Sequence, residues 1–243
     1  MTNNSGINEK LIDIYKNLTR SEENIGNRHK NLSDEVYEIV KDKIISHEFK
    51  PGQRVIDKHI AEDLGVSRSL VRQAFNILEK EELIESIPRS GFFVREISEK
   101  DVKEIYHIRN LLETEATRLA VPRLQEKHIK RLEKIFVDAR EELKKGEVKK
   151  LIEADATLHD TLIKKCGNSR LVSMIEKYSS HYVFYRIIDL SEIERARDAY
   201  DEHYKIFAAV KNEDIKLAAD LMSAHIENAK NIILNNFKKY TFG

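Results

Sequence analysis

Asp57-Lys-His-Ile-Ala61-Glu-Asp-Leu-Gly65-Val-Ser67-Arg68-Ser69-Leu-Val71-Arg72-Gln-Ala-Phe75 sets a small residue four positions before a glycine and ten before a valine. That is the spacing of a helix-turn-helix. Ala61 lets one helix cross close against another. Gly65 can take the left-handed backbone that ends a helix sharply. Ser67 suits the N-cap of the next helix, and Val71 and Phe75 share one inward face. Arg68, Ser69, Arg72 and Gln73 are then left at the exposed start of the second helix, where recognition helices meet base edges and phosphates. An ordinary helical hairpin with a charged surface has a similar pattern, and the flanking sequence argues against it.

Working outward, a helix is expected from about Leu32 to Ser46, with Val36, Ile39, Val40, Ile44 and Ile45 as its apolar stripe. Pro51-Gly52 stops it, and Arg54-Val-Ile56 is a short strand. The second helix of the motif is expected to run to about Glu82. Leu83–Ile87 and Phe92–Arg95 flank Pro88-Arg-Ser-Gly91 and form a hairpin. Helix, helix-turn-helix and hairpin together describe a winged helix, whose tip at Arg89, Ser90 and Gly91 can reach a DNA backbone or minor groove.

The bulk numbers constrain the partners. The 243 residues are 41% hydrophobic and 35% charged, with three Pro and eight Gly, which favours soluble helical structure. Formal net charge is zero, and residues 31–97 hold ten Lys/Arg against thirteen Asp/Glu. Any DNA contact must therefore come from a local basic cluster with acidic groups turned elsewhere. One cysteine, no signal-like start and no long apolar run make a reducing, cytoplasmic location the expectation, without a membrane partner.

Three segments are expected: a flexible arm over 1–30, a winged helix over 31–97, and an all-α bundle over 98–243. The bundle divides into six helices, near 99–119, 124–145, 147–166, 169–189, 191–211 and 213–237. The fold class is mainly α.

Within the bundle, Asp155 and His159 lie four apart on one helix face. His203 and His225 lie eleven residues either side of Asp214, at the turn between the last two helices. Residues equidistant from the turn of an antiparallel hairpin sit at the same height, so these imidazoles can face each other. Three imidazoles and a carboxylate suit Zn2+ first, then Ni2+, Mn2+ or Fe2+, and leave positions open on a five- or six-coordinate ion. A lone histidine is more often a polar surface or core group, so the spacing alone leaves both options standing. Arg109 can bind a carboxylate bidentately or pair with Glu113 or Glu115 at the surface. Tyr182, Tyr185 and Arg186 can line a pocket or pack as core.

These residues resemble the GntR family of transcription regulators, in its FadR-like branch with an all-helical FCD effector domain. The similarity runs through Phe49-Lys-Pro51-Gly52-Gln-Arg54, Ile60-Ala61-Glu-Asp-Leu-Gly65-Val66-Ser67-Arg68, Val71-Arg72-Gln-Ala and Gly91-Phe-Phe-Val94. It continues through Arg109-Asn-Leu-Leu-Glu113, Asp155-Ala-Thr-Leu-His159, Glu202-His203 and Met222-Ser-Ala-His225. Six helices resemble the smaller VanR-type subgroup. Leu70 stands where the family commonly has Pro, Glu82 where it has Gly, Ser90 where Arg or Gly is frequent, and Leu158 where it has Phe.

The resemblance implies that Lys58, Arg68, Arg72 and the wing around Gly91 contact double-stranded DNA, with Ser67, Ser69 and Arg89 beside them. It implies that Asp155, His159, His203 and His225 hold a divalent metal. The expected protein is a homodimeric repressor on a palindromic operator, no enzyme, modulated by a small carboxylate at the metal, with Arg109, Tyr182 and Arg186 as effector contacts. The alternative effector is an acyl-CoA or other apolar ligand, with the metal purely structural.

Overall fold

α1 (Leu32–Ile45) owes its position to a stripe of Val36, Val40, Ile44 and Ile45, all buried. Apolar residues spaced by four along a helix fall on one side, which must be covered. In this computed structural model the described residues are 32–46, 48–96, 98–145, 147, 149–178, 181–182 and 193–241. The expected arm, and Tyr185 and Arg186, lie outside them. The chain divides into two compact units between Ser98 and Glu99.

In the N-terminal unit, β1 (Arg54–Val55) leads into α2 (Asp57–Leu64) and α3 (Arg68–Lys80). The turn between the helices follows from Gly65. Its φ of 65° lets its N–H reach the carbonyls of Ala61 and Glu62, closing α2. Ser67 then caps α3 by accepting a hydrogen bond from the Leu70 N–H. Val71, Ala74, Phe75 and Leu78 of α3 are wholly buried, and they join Val36, Val40, Ile60 and Ile84 in one core.

β2 (Ile84–Ile87) and β3 (Gly91–Val94) form the antiparallel hairpin, with Ile84 opposite Val94 and Ile87 opposite Gly91. β1 adds to the other edge of β3. Phe92 of the wing meets Phe75 of α3 edge to face at 4.9 Å, which seats the hairpin against the recognition helix. Several boundaries differ from expectation: α1 ends at Ile45, and the wing strands span Ile84–Ile87 and Gly91–Val94 rather than Leu83–Ile87 and Phe92–Arg95. The strand stops at Val55 because Ile56 becomes the N-cap residue of α2. α3 stops at Lys80 because Glu82 takes a left-handed conformation (φ 58°), which no helix continues. This is the position at which the resembled family carries Gly.

The C-terminal unit is helical throughout most of its described residues. It comprises α4 (Glu99–Ala120), a 3-10 turn over Val121–Arg123, α5 (Glu126–Lys144), α6 (Lys149–Lys165), α7 (Ser169–Lys177), α8 (Ile193–Lys211) and α9 (Ile215–Thr241). Pro122 sits in the 3-10 turn. Gly167 (φ 72°) and the Asn168 side chain, which accepts from the Leu171 N–H, start α7. Within the helix expected over 169–189, α7 ends at Lys177, where Tyr178 caps it, and His181 and Tyr182 are again helical. Glu213 (φ 57°) makes the turn from α8 to α9, and Asp214 Oδ1 accepts from the Leu217 N–H at 3.0 Å. α4 packs along α9 and against α6, while α8 packs on α9 and α6. These four helices enclose the polar cluster described next.

Candidate metal centre and nucleic-acid interface

α6 carries Asp155 and His159 one turn apart on its buried side. The α8–α9 turn brings His203 and His225 to the same height, as equal spacing from Asp214 requires. All four side chains are buried, and one donor atom from each lies within 4.8 Å of all the others. His203 Nε2 is the hub, at 2.9 Å from Asp155 Oδ1, 3.2 Å from His159 Nε2 and 3.1 Å from His225 Nε2.

The remaining ring nitrogens explain why the Nε2 atoms converge. His159 Nδ1 lies 2.5 Å from Glu113 Oε2, and His225 Nδ1 lies 2.6 Å from Glu202 Oε2. A carboxylate there takes the Nδ1 proton as a hydrogen bond and leaves the Nε2 lone pair facing the cluster. Burial, followed by the nearby His203, His159 and Arg109 charges, holds the His225 pKa well below the usual histidine value, so its ring is in the neutral, ligating form. Imidazole nitrogens turned towards each other and towards a carboxylate, out of water, form a donor set that a divalent cation satisfies. The residues fit a metal.

The carboxylates that orient the imidazoles are themselves anchored. Glu113 accepts from Arg109 Nε at 2.7 Å through its other oxygen. Glu202 accepts from Arg195 Nη1 at 3.1 Å and Asn228 Nδ2 at 2.6 Å. Spacing of histidines does not reveal either role. The available signal is chemical: each ligating ring needs a partner for its second nitrogen, and Glu113 and Glu202 are the acids that α4 and α8 turn inward.

Arg109 is not at the surface. It is 2% exposed, pairs with Glu113, and donates to Tyr106 Oη at 3.3 Å. Burial opposes its charge, but Glu113, Tyr106 and Asp155 outweigh that and keep it protonated. Its guanidinium lies over the Tyr106 and Tyr182 rings, 5.3 Å from each centroid. Arg109 Nη2 and the Tyr182 hydroxyl are both buried without a hydrogen-bond partner among the described residues. Such groups are costly unless something fills their bonding capacity.

On the N-terminal unit, Ser67, Arg68, Ser69, Arg72 and Gln73 are exposed. With Asn76, the last four line a shallow depression along α3. Asp57, the first residue of α2, is buried and reaches both arginines: Arg72 Nε at 2.7 Å and Arg68 Nη2 at 3.0 Å. Burial pushes the Asp57 pKa up, but hydrogen bonds and charge from Arg72 and Arg68 prevail and hold it below the ordinary carboxylate value. Lys58 is exposed and 3.7 Å from Glu62. At the wing tip, Arg89 is exposed and left-handed (φ 65°), and Gly91 has φ 104°.

Residues 32–94 match the bacterial regulatory proteins of the gntR family, and residues 104–228 match the FCD domain. The chain is 32% identical over 193 residues to the uncharacterized HTH-type transcriptional regulator YdhC of Bacillus subtilis, covering 79% of this chain and 86% of that protein. It is 27% identical over 195 residues to the probable D-xylose utilization operon transcriptional repressor of Paenarthrobacter nicotinovorans, covering 80% and 85% of the two chains. The solved structure of Escherichia coli McbR/YncC superposes with a TM-score of 0.70 at 22% identity, over 85% of this chain and 99% of that one. The family and these relatives are transcription regulators, not enzymes. The chain belongs to the GntR family of DNA-binding transcription regulators, with a winged helix-turn-helix followed by an FCD domain.

Proposed function

We propose that this regulator is a homodimeric repressor of a palindromic operator, released by a small organic acid that binds at a divalent metal in the FCD domain. The observation that carries this is the convergence of four buried donor atoms from Asp155, His159, His203 and His225. These residues would hold the ion, Zn2+ before Ni2+, Mn2+ or Fe2+. When bound it supplies Lewis acidity and open positions for a carboxylate oxygen.

The chain's own groups complete the site. The Arg109 Nη2 and Tyr182 hydroxyl groups suit a second carboxylate oxygen or hydroxyl of the effector, by charge-assisted hydrogen bonding. Arg186 is proposed as a further effector contact. Lys58, Arg72 and Arg89 contact phosphates, while Arg68, Ser69 and the wing at Gly91 meet groove edges, and Ser67 fixes the start of the recognition helix. A two-fold dimer would place two such helices on half-sites one turn of DNA apart. The repressor sign is supported by the Paenarthrobacter relative's name. The cytoplasm is the proposed location, and no described helix is long and apolar enough to cross a membrane.

The effector acts only through its preference for one arrangement of the protein over another. A coupling of about 1–3 kcal/mol changes operator affinity roughly 5- to 150-fold. The test uses a duplex selected in vitro with the metal-loaded full chain, then acetate, succinate and citrate as mono-, di- and tricarboxylate probes. At least one lowers DNA affinity, and His203→Ala abolishes that response while still binding DNA. A metal-dependent melting temperature without any carboxylate response would assign the ion a structural role. Unchanged affinity in both Arg68→Ala and Arg72→Ala would refute the docking scheme.

A further inference from the structure

Asp57 occupies an odd place for an acid. It stands at the base of a DNA-reading helix pair, beside the two arginines of the exposed face. Its residue is 8% exposed, while the Arg68 and Arg72 side chains are 58% and 61% exposed. The charge is anchored inside and the two guanidinium forks project outward from it. Arg72 commits Nε to Asp57 Oδ2 at 2.7 Å, and Arg68 commits Nη2 to both oxygens at 3.0 and 3.2 Å. Of the five N–H donors of a guanidinium, both terminal groups of Arg72 are left over, as are Nε and Nη1 of Arg68. Arg72 therefore keeps its Nη1/Nη2 edge turned away from Asp57, whereas Arg68, whose two-donor edges both include Nη2, keeps single donors at Nε and Nη1.

We infer that Asp57 is a positioning residue for DNA readout: its buried carboxylate pre-orients the Arg68 and Arg72 guanidinium groups so that the remaining donors of Arg68 meet a base edge while Arg72 holds a phosphate. This rests on the proposal that Arg68 enters the groove and Arg72 contacts the backbone. A donor that reads a base edge must point at one acceptor from a defined direction. A freely rotating arginine serves a phosphate almost as well, because a phosphate accepts from many directions. Asp57 thus sets a negative charge, which DNA repels, where it gains discrimination.

That trade separates positioning from mere stapling of α2 to α3. A staple, once lost, weakens binding to every duplex alike. A positioning carboxylate, once lost, weakens the selected operator while leaving a scrambled duplex bound as before or more tightly, because a negative charge has gone.

The experiment measures fluorescence anisotropy of the full chain on two duplexes of equal length, one selected in vitro with the wild type and one scrambled. The chains are wild type, Asp57→Asn, Asp57→Glu, Arg68→Ala and Arg72→Ala, with circular dichroism melts on each. Asp57→Asn should lower the operator-to-scrambled ratio about 10- to 100-fold without weakening scrambled binding. Asp57→Glu keeps the charge but moves it by one methylene, and should give an intermediate ratio. It also carries the test if Asp57→Asn does not fold. A ratio within about twofold of wild type in the folded Asp57 variants, with Arg72→Ala impaired, would overturn the inference and leave the docking scheme standing. Equal weakening on both duplexes would also overturn it, as the mark of a staple. Unimpaired binding by both Arg68→Ala and Arg72→Ala removes the docking scheme and the inference with it.

Discussion

Removing the hub of the metal cluster should erase metal-dependent stability. His203 Nε2 lies within 3.2 Å of a donor atom from each of the other three residues, so His203→Ala removes the central donor and leaves two imidazoles and one carboxylate. An ion that binds the folded cluster and not the unfolded chain stabilises by RT ln(1 + [L]/Kd). At a hundredfold excess over Kd that is about 2.7 kcal/mol. For a unit of this size it corresponds to roughly 5–11 °C in Tm. The assay is calorimetry of chelator-stripped protein, with and without Zn2+ or Ni2+. The two units make two transitions possible, and the increment should fall on the one that belongs to the bundle. His203→Ala should lose the increment whatever its own Tm, because the comparison is made within each chain. His107→Ala, at an exposed position on α4, should keep it. An increment of equal size in His203→Ala, or none in the wild type, would refute the assignment of this cluster as the binding site.

Three further outcomes are expected. Glu202→Gln removes the carboxylate that receives His225 Nδ1 and should weaken metal binding about 10- to 100-fold in a chelator competition, with Asp155 and the imidazoles intact. Glu82→Gly should raise the melting temperature of the winged helix, since relief of a left-handed non-glycine backbone gains about 1 kcal/mol. Among the described residues it loses an exposed pair with Arg95, and a lower Tm would contradict this account. For Asp57 the sign follows from its depressed folded pKa. Its contribution is complete above the unfolded carboxylate value of about 3.9 and is lost as pH falls through the lower folded value. Urea melts from pH 7 to 2 should show the stability gap between wild type and Asp57→Asn closing below about pH 4; a gap that widens there would reverse the argument.

Much of this architecture is legible in the residues, for a definite reason. Helical periodicity states which face a side chain occupies, so it places Val71 and Phe75 in the core and Arg68 and Arg72 outside it. Spacing along one helix and symmetry about one turn are both one-dimensional facts, which is why they suffice to bring Asp155, His159, His203 and His225 together. What periodicity does not encode is the polar partner on a different helix. Glu113 meets His159 across forty-six positions and Glu202 meets His225 across twenty-three. Arg109 illustrates the limit. Its pairing with Glu113 four residues on is readable, but its depth is not, because a charged pair at that spacing normally lies in water. The end of α3 falls short of the expected Glu82 for a related reason: Glu82 is chemically a helix former, and its left-handed backbone is imposed by the start of β2 rather than by its own preference.

The charge balance resolves in the same local terms. A winged helix with more acids than bases looks unsuited to DNA until the acids are located. Glu81 accepts from Tyr37 and pairs with Lys41, Glu82 pairs with Arg95, and Glu48 pairs with Lys43. Asp57 is buried beneath two arginines. The exposed depression of α3, from Arg68 through Ser69, Arg72 and Gln73 to Asn76, has no acid among the described residues that line it. Charges interact over about 8–10 Å at physiological salt, a distance shorter than the domain. A phosphate approaching α3 therefore meets the local cluster and not the domain total. Lys58 adds readily to that cluster: its exposed pair with Glu62 is worth well under about 1 kcal/mol, so a phosphate can replace the carboxylate with little loss. Net charge is the wrong scale on which to judge such a domain; the placement of two arginines over one buried aspartate is the right one.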